Sequence, residues 1–255
     1  MVPMPGLRDA EAEAALEEAA ALEEAYGALK PQEIIRAAAA RFGTGELAAV
    51  SSFGSDSAVL LHMIAEVDRS LPIIFLDTGK HFGETLDYRD ALAADLGLSN
   101  LRIVIPEQAA LDAADRESVL HQTDTDACCD IRKVEPMARA VAPFRAWLTG
   151  RKQFQAKTRQ ALPAFEAAGS RIRINPLARW TTADLAGYMR ASSLRENPLV
   201  AYGYLSIGCF PCTQAVKPGE DARSGRWAGQ AKTECGIHLP GLARSLNASS
   251  FQEVS

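Results

Sequence analysis

Short apolar runs, each closed by small or polar residues, alternate along this chain with longer stretches whose apolar positions recur every three or four residues. The run at 46–51 predicts a buried strand. The stretch behind it, 57–67, has apolar residues at 59, 60, 63, 64 and 67, the spacing of one helix face. A second strand at 72–76 ends in Asp77-Thr78-Gly79, a helix follows at 83–96, and a third strand at 101–105. Further on, 134–141 reads as a helix that begins after a break at two adjacent cysteines, and 146–149 and 171–174 read as strands. A last helix, 181–189, has Thr181 or Thr182 as N-cap and Asp184 in its first turn. Strands that alternate with helices predict an α/β fold with a doubly wound, mostly parallel sheet.

Upstream, residues 9–26 are Ala, Glu and Leu, strong helix formers, and Pro31 opens a second helix to about residue 42. Beyond Asn197 the periodicity fades, and Gly, Pro and Cys become frequent. The expected organisation is an N-terminal helical segment at 1–44, a nucleotide-binding α/β domain at 45–200 and a C-terminal tail at 201–255. The first segment should pack its Ala and Leu faces on the sheet.

Charge narrows the partners. The 255 residues carry a net charge of −5, so no general nucleic-acid binder is expected. The acidic, Ala-rich N-terminus is no secretory signal, and no stretch approaches the ~18 apolar residues of a membrane span. A cytoplasmic location is expected, where thiols stay reduced, so five cysteines point to metal binding or catalysis.

Candidate chemistry gathers at the strand ends. Ser51, Ser52, Phe53, Gly54, Ser55, Asp56 and Ser57 form a strand-to-helix loop whose backbone N–H groups and helix terminus suit an anion. A plain capped helix is the competing reading, and no GK[ST] makes it a Walker loop. Leu76, Asp77, Thr78 and Gly79 close the neighbouring strand; beside them Lys80 offers charge, and His81 reads as a surface histidine.

Arg151, Lys152, Lys157 and Arg159 crowd one stretch, and Arg223 and Arg226 another, which suits phosphate or sulfate. Cys128-Cys129 and the pair Cys209 and Cys212 read as a four-thiolate metal site. Two adjacent thiolates favour a cluster of several irons, [4Fe–4S], over one zinc ion. Lys133, a turn beyond the pair, would offset the cluster's charge. Cys235, beside Gly236 and near Lys232 and His238, is a candidate nucleophile.

The loop at 51–57 with LDTG (76–79), TGRKQ (149–153), INPL (174–177) and ECGIHL (234–239) resembles the sulfonucleotide reductases, across roughly residues 45–240. The resemblance implies a PP-loop, adenine nucleotide alpha hydrolase-like fold, with the phosphate loop, the LDTG segment, Lys133, Arg151, Lys152, Arg159, Arg223, Arg226 and His238 binding substrate. It implies that Cys235 is catalytic. Both cysteine pairs are those of the family's iron–sulfur branch, which implies a [4Fe–4S] protein acting on adenylyl sulfate (APS); the alternatives are a reductase of phosphoadenylyl sulfate (PAPS) and a non-catalytic iron–sulfur nucleotide-binding sensor. It further implies a thioredoxin or glutaredoxin as reductant, and leaves room for a homo-oligomer. Two departures stand out. The loop reads SFGSDS rather than the SGGxDS of ATP-splitting relatives, and Phe154 and Ala156 replace Ser-Pro-like residues.

Overall fold

A computed structural model describes residues 5–228, 232 and 236–238. Two helices open the chain, α1 (Pro5–Tyr26) and α2 (Pro31–Glu46), the latter bent at Gly43, whose φ of 67° is left-handed. There follow β1 (Leu47–Val50), α3 (Ser57–Val67), β2 (Ile73–Leu76), α4 (Gly83–Leu96) and β3 (Leu101–Val104). Three short helices, α5 (Gln108–Ala114), α6 (Leu120–Thr123) and α7 (Thr125–Cys129), lead through a π-helical turn, Asp130–Val134, into α8 (Glu135–Val141). The chain then runs through β4 (Ala146–Thr149), β5 (Phe165–Ala168), β6 (Arg171–Ile174) and α9 (Thr182–Ala191).

The six strands form one sheet in the order β3-β2-β1-β4-β6-β5, parallel except for β5, which pairs antiparallel with β6 at the edge. Period-two alternation divides the core. Leu47, Ala49, Ile73, Phe75, Leu148 and Ile174 face a large cluster that includes α2, α3, α4 and α9; Ala48, Ile74, Leu76 and Trp147 face a smaller one built on α8. Ala19 and Leu22 of α1 belong to the large cluster, and Glu23 Oε2 accepts the Phe165 N–H at 2.9 Å, so the N-terminal segment does pack on the sheet. Thr181 caps α9 with a capping box closed by Asp184.

The break expected at the cysteine pair does not occur. Backbone dihedrals stay right-handed helical from Cys129 (φ −67°, ψ −35°) through Val134 (φ −69°, ψ −51°). Pro136 explains the π turn. It has no N–H for the Arg132 carbonyl, and its ring would press on that carbonyl in a regular α-helix. The wider turn, in which Glu135 N–H reaches back to Asp130 O, relieves both. The antiparallel strand β5 and helices α5 to α7 were not expected from the sequence.

Candidate active site

A cleft of about 270 Å³ opens where the strand order reverses, at the carboxyl ends of β1 and β4. Ligands bind there in doubly wound sheets. One wall is the serine loop. Phe53 N–H donates to Ser51 Oγ at 3.2 Å and Gly54 N–H to Ser57 Oγ at 2.8 Å, which folds the loop over the start of α3. Phe53 sits at φ 49°, a left-handed conformation unusual for a bulky residue. Burial against Phe75 and a bond from buried Asn197 Nδ2 to Phe53 O at 3.1 Å hold it there. The first turn of α3 has no acidic residue, so its positive end is available to an anion. Asp56 is instead neutralised by Lys152, whose Nζ is 2.6 Å from Asp56 Oδ2 and whose side chain is 1% exposed.

The facing wall is made of guanidinium groups. Arg151 follows β4, and Arg173 stands on β6 directly between Trp147 of β4 and Glu166 of β5. Glu166 Oε1 accepts from Arg151 Nη1, from Arg173 Nε at 2.8 Å and from Asn175 Nδ2 at 2.9 Å. Burial works against the Glu166 charge, but Arg173, Arg151 and Asn175 together hold its carboxyl below the usual range. Burial, followed by the like charge of Arg173, pushes Arg151 down to about 10, so it stays cationic at neutral pH. Arg159 is buried and donates Nη1 to Gln155 Oε1 at 2.6 Å. Buried nitrogens on the cleft walls lack a partner among the described residues: Trp147 Nε1, Arg151 Nε and Arg226 Nε. Buried donors of this kind carry a desolvation cost that a bound anion or acceptor would offset.

The third side gathers the thiols. Cys128 and Cys129 are buried on α7, Cys209 is buried, and Cys212 is half-buried; no disulfide joins them. Thr78 Oγ1 lies 3.3 Å from Cys209 Sγ, and Arg132 Nη1 donates to Thr78 O at 2.8 Å. Cys129 and Cys212 pack with Trp227. Burial pushes the Cys128 thiol up, and Cys209 and Cys212 push it further while Arg132 opposes. Burial and Cys209 do the same to Cys212, against Lys133, Arg226 and Lys232. The four thiols therefore share one neighbourhood ringed by cations. Among the described residues no three His, Cys, Asp or Glu side chains converge on a point that would hold a single metal ion. Arg226 lies over the Trp227 ring at 4.3 Å, and a Cβ on Gly208 would fall inside its guanidinium.

Residues 46–215 match the phosphoadenosine phosphosulfate reductase domain family. The chain belongs to that family. The adenosine 5'-phosphosulfate reductase of Mesorhizobium japonicum is 72% identical over 233 residues, covering 91% of this chain and 92% of that protein. The crystal structure of the PAPS reductase from Candida auris, a phosphate complex, superposes with a TM-score of 0.66 at 31% identity, over 78% of this chain and 97% of that one. Yeast FAD synthetase, at a TM-score of 0.51 and 16% identity over 79% of this chain and 75% of its own, shares the fold alone. The fold is thus the adenine nucleotide alpha hydrolase-like one expected.

Against this family site, the expected residues divide. Ser51, Ser52, Gly54, Ser55, Asp56, Ser57, Leu76, Lys133, Arg151, Arg159, Arg223 and Arg226 line the cleft. Phe53 and Lys152 lie behind the loop as its supports. Asp77, Thr78 and Gly79 are not among the residues that line the cleft: Gly79 N–H donates to Asp77 Oδ1 at 2.9 Å, and Thr78 Oγ1 contacts Cys209. Cys235 lies outside the described residues, as does the side chain of His238. His81 is not a surface residue. It is half-buried and stacks on Phe75 at 4.8 Å, with Nε2 2.9 Å from Leu76 O. Glu166, Arg173 and Asn197 were not singled out, and Asn175 only as part of the INPL motif. The Gly-Ser turn between 168 and 171 was a hairpin signal that would have drawn Glu166 and Arg173 together.

Proposed function

We propose that the protein reduces adenylyl sulfate to sulfite and AMP with a thioredoxin- or glutaredoxin-type dithiol. The observation that carries this is an anion seat at the switch point, where Arg226, with an unpartnered buried nitrogen, stands beside the thiols and Arg151, with another, stands at the far wall. The close relative from Mesorhizobium japonicum supports APS rather than PAPS as substrate.

In this reading the Cys235 thiolate attacks the sulfur of bound APS. A bond from Cys235 Sγ to that sulfur forms, the sulfur–oxygen bond to the phosphate breaks, and AMP leaves with the electron pair. Arg226 and Lys133 offset charge on the departing phosphate. The product is an S-sulfocysteine. A dithiol then attacks Cys235 Sγ, sulfite leaves, and the second thiol resolves the mixed disulfide, so the dithiol is oxidised and Cys235 is regenerated. Support for Cys235 comes from its sequence neighbours. A Cβ on Gly236 would press on Val134 of the π turn, and Ile237 lines the cleft.

Cys128, Cys129, Cys209 and Cys212 would hold a [4Fe–4S] cluster. The donor set fits such a group: Cys209 and Cys212 raise the proton affinity of Cys128, Cys209 raises that of Cys212, and Arg132, Lys133, Arg226 and Lys232 oppose them as compensating cations. When bound, the cluster would supply a fixed charge and a rigid brace, and Lys133, which lines the cleft and acts on Cys212, would offset that charge. The segments 45–200 and 201–255 would then share both tasks, the first giving the serine loop, Cys128 and Cys129, the second Arg223, Arg226, Cys209, Cys212 and Cys235. No described helix is long and apolar enough to cross a membrane, and a cytoplasmic enzyme, with self-association left to measurement, fits the reading.

The test is sulfite release by anaerobically purified protein with thioredoxin and either nucleotide. Release from APS and little from PAPS, abolished in Cys235→Ser, is expected. Equal release from Cys235→Ser would overturn the mechanism, and faster release from PAPS would overturn the substrate assignment.

A further inference from the structure

The group formed by Arg151, Arg173 and Glu166 sits at the end of the cleft remote from the thiols. Thr78, which bonds to Cys209, follows β2, whereas Arg173 stands on β6 and Glu166 on β5. With β1 and β4 between them, β2 and β6 are about 14 Å apart across the sheet. A nucleotide whose sulfate meets the thiols therefore extends its nucleoside toward Glu166. Any additional phosphate on the nucleoside would meet this wall.

Three guanidiniums, Arg151, Arg159 and Arg173, stand here with one carboxylate among them. Without Glu166 the wall would be a strong seat for a phosphate dianion. With it, one cation is cancelled and two are tied by hydrogen bonds to a single oxygen. We propose that Glu166 is a positioning residue that determines specificity: it fixes Arg151 and Arg173 and sets how many phosphates the bound nucleotide can carry. The inference rests on the proposed sulfonucleotide reading of the cleft. It deepens that reading by naming the residue that disfavours a nucleotide with a second phosphate group.

Isothermal titration of the full chain with 5'-AMP and with adenosine 3',5'-bisphosphate tests it. Glu166→Gln keeps an oxygen acceptor and removes the charge. Its ratio of affinities should shift toward the bisphosphate by about tenfold, the effect of one unit charge on a dianion roughly 10 Å away through a partly aqueous medium. Glu166→Asp should keep the wild-type ratio. Arg173→Met removes a cation and should shift the ratio the other way, which retains a test if Glu166→Gln does not fold. An unchanged ratio, or a parallel loss of both affinities, would show a merely structural Glu166 and overturn the inference. Failure of the wild-type protein to bind either nucleotide would instead overturn the reading of the cleft, and the inference with it.

Discussion

Removing the Asp115 carboxylate should destabilise the protein more than loss of any exposed ion pair. Arg132 lies on the π turn and is 6% exposed at its side chain; Asp115 is 1% exposed. Asp115 Oδ2 accepts from Arg132 Nη2 at 2.6 Å and Nε at 3.2 Å, and Oδ1 accepts the Leu120 N–H at 2.8 Å. In Asp115→Ala the guanidinium keeps only the Thr78 carbonyl and is left as a buried, uncompensated charge. Breaking such a pair costs about 3–5 kcal/mol. With a urea m-value of about 3 kcal/mol/M for a chain of this size, the midpoint should fall by at least about 1 M. Replacing both partners, Asp115→Leu with Arg132→Met, should recover most of the loss, because an apolar pair has no charge to desolvate. Urea unfolding followed by circular dichroism reads all three variants. A single variant within about 1 kcal/mol of wild type, or a double variant as unstable as the single, would refute the reasoning.

Four further outcomes are expected. Burial lowers the His81 pKa below its ordinary 6.5, so the unfolded chain takes up a proton first. Stability from this group is full above that value and falls as pH drops through the lowered one, and His81→Gln should flatten that loss in unfolding measured from pH 7.5 to about 5. Asn197→Ala should cost about 1–3 kcal/mol, because it leaves the buried Phe53 carbonyl without its donor; it should also raise the KM for the nucleotide by releasing the serine loop. Gly208→Ala should displace Arg226 and lower kcat/KM by about tenfold or more, with thermal stability read alongside. Lys152→Met should leave the Asp56 carboxylate without its ion-pair partner beside the anion seat, weakening AMP binding by about tenfold in titration calorimetry.

Much of the framework could be read from periodicity because each element buries a single face. Strands 146–149 and 171–174 and helices 57–67 and 83–96 coincide with the observed bounds, since each is a short apolar run or a helix stripe against one side of the sheet. The phosphate loop was legible for the same reason: its chemistry is local. The edge strand Phe165–Ala168 was not. Two of its four residues are alanines, and it pairs only as the second arm of a hairpin. Glu166 was missed with it, because a carboxylate that binds one guanidinium just beyond β4 and another on β6 acquires its meaning only from strand order. Asn197 was missed likewise, since it acts on Phe53, far away in the chain. Lys152 was recognised as a cation, but its partner is the loop's own Asp56, a pairing that spacing does not reveal.

The π turn at 130–134 has an evolutionary reading. Such a turn is an α-helix holding one residue more than its hydrogen bonds require. Deleting one residue there would leave Met137, Ala138 and Val141 seated under the sheet. It would also swing Cys128 and Cys129 by about 100° around the helix axis, away from Cys209. A single-residue insertion in an ancestral helix is thus enough to turn a thiol pair toward a partner it did not face before. The proline that now sits behind it makes the change difficult to reverse.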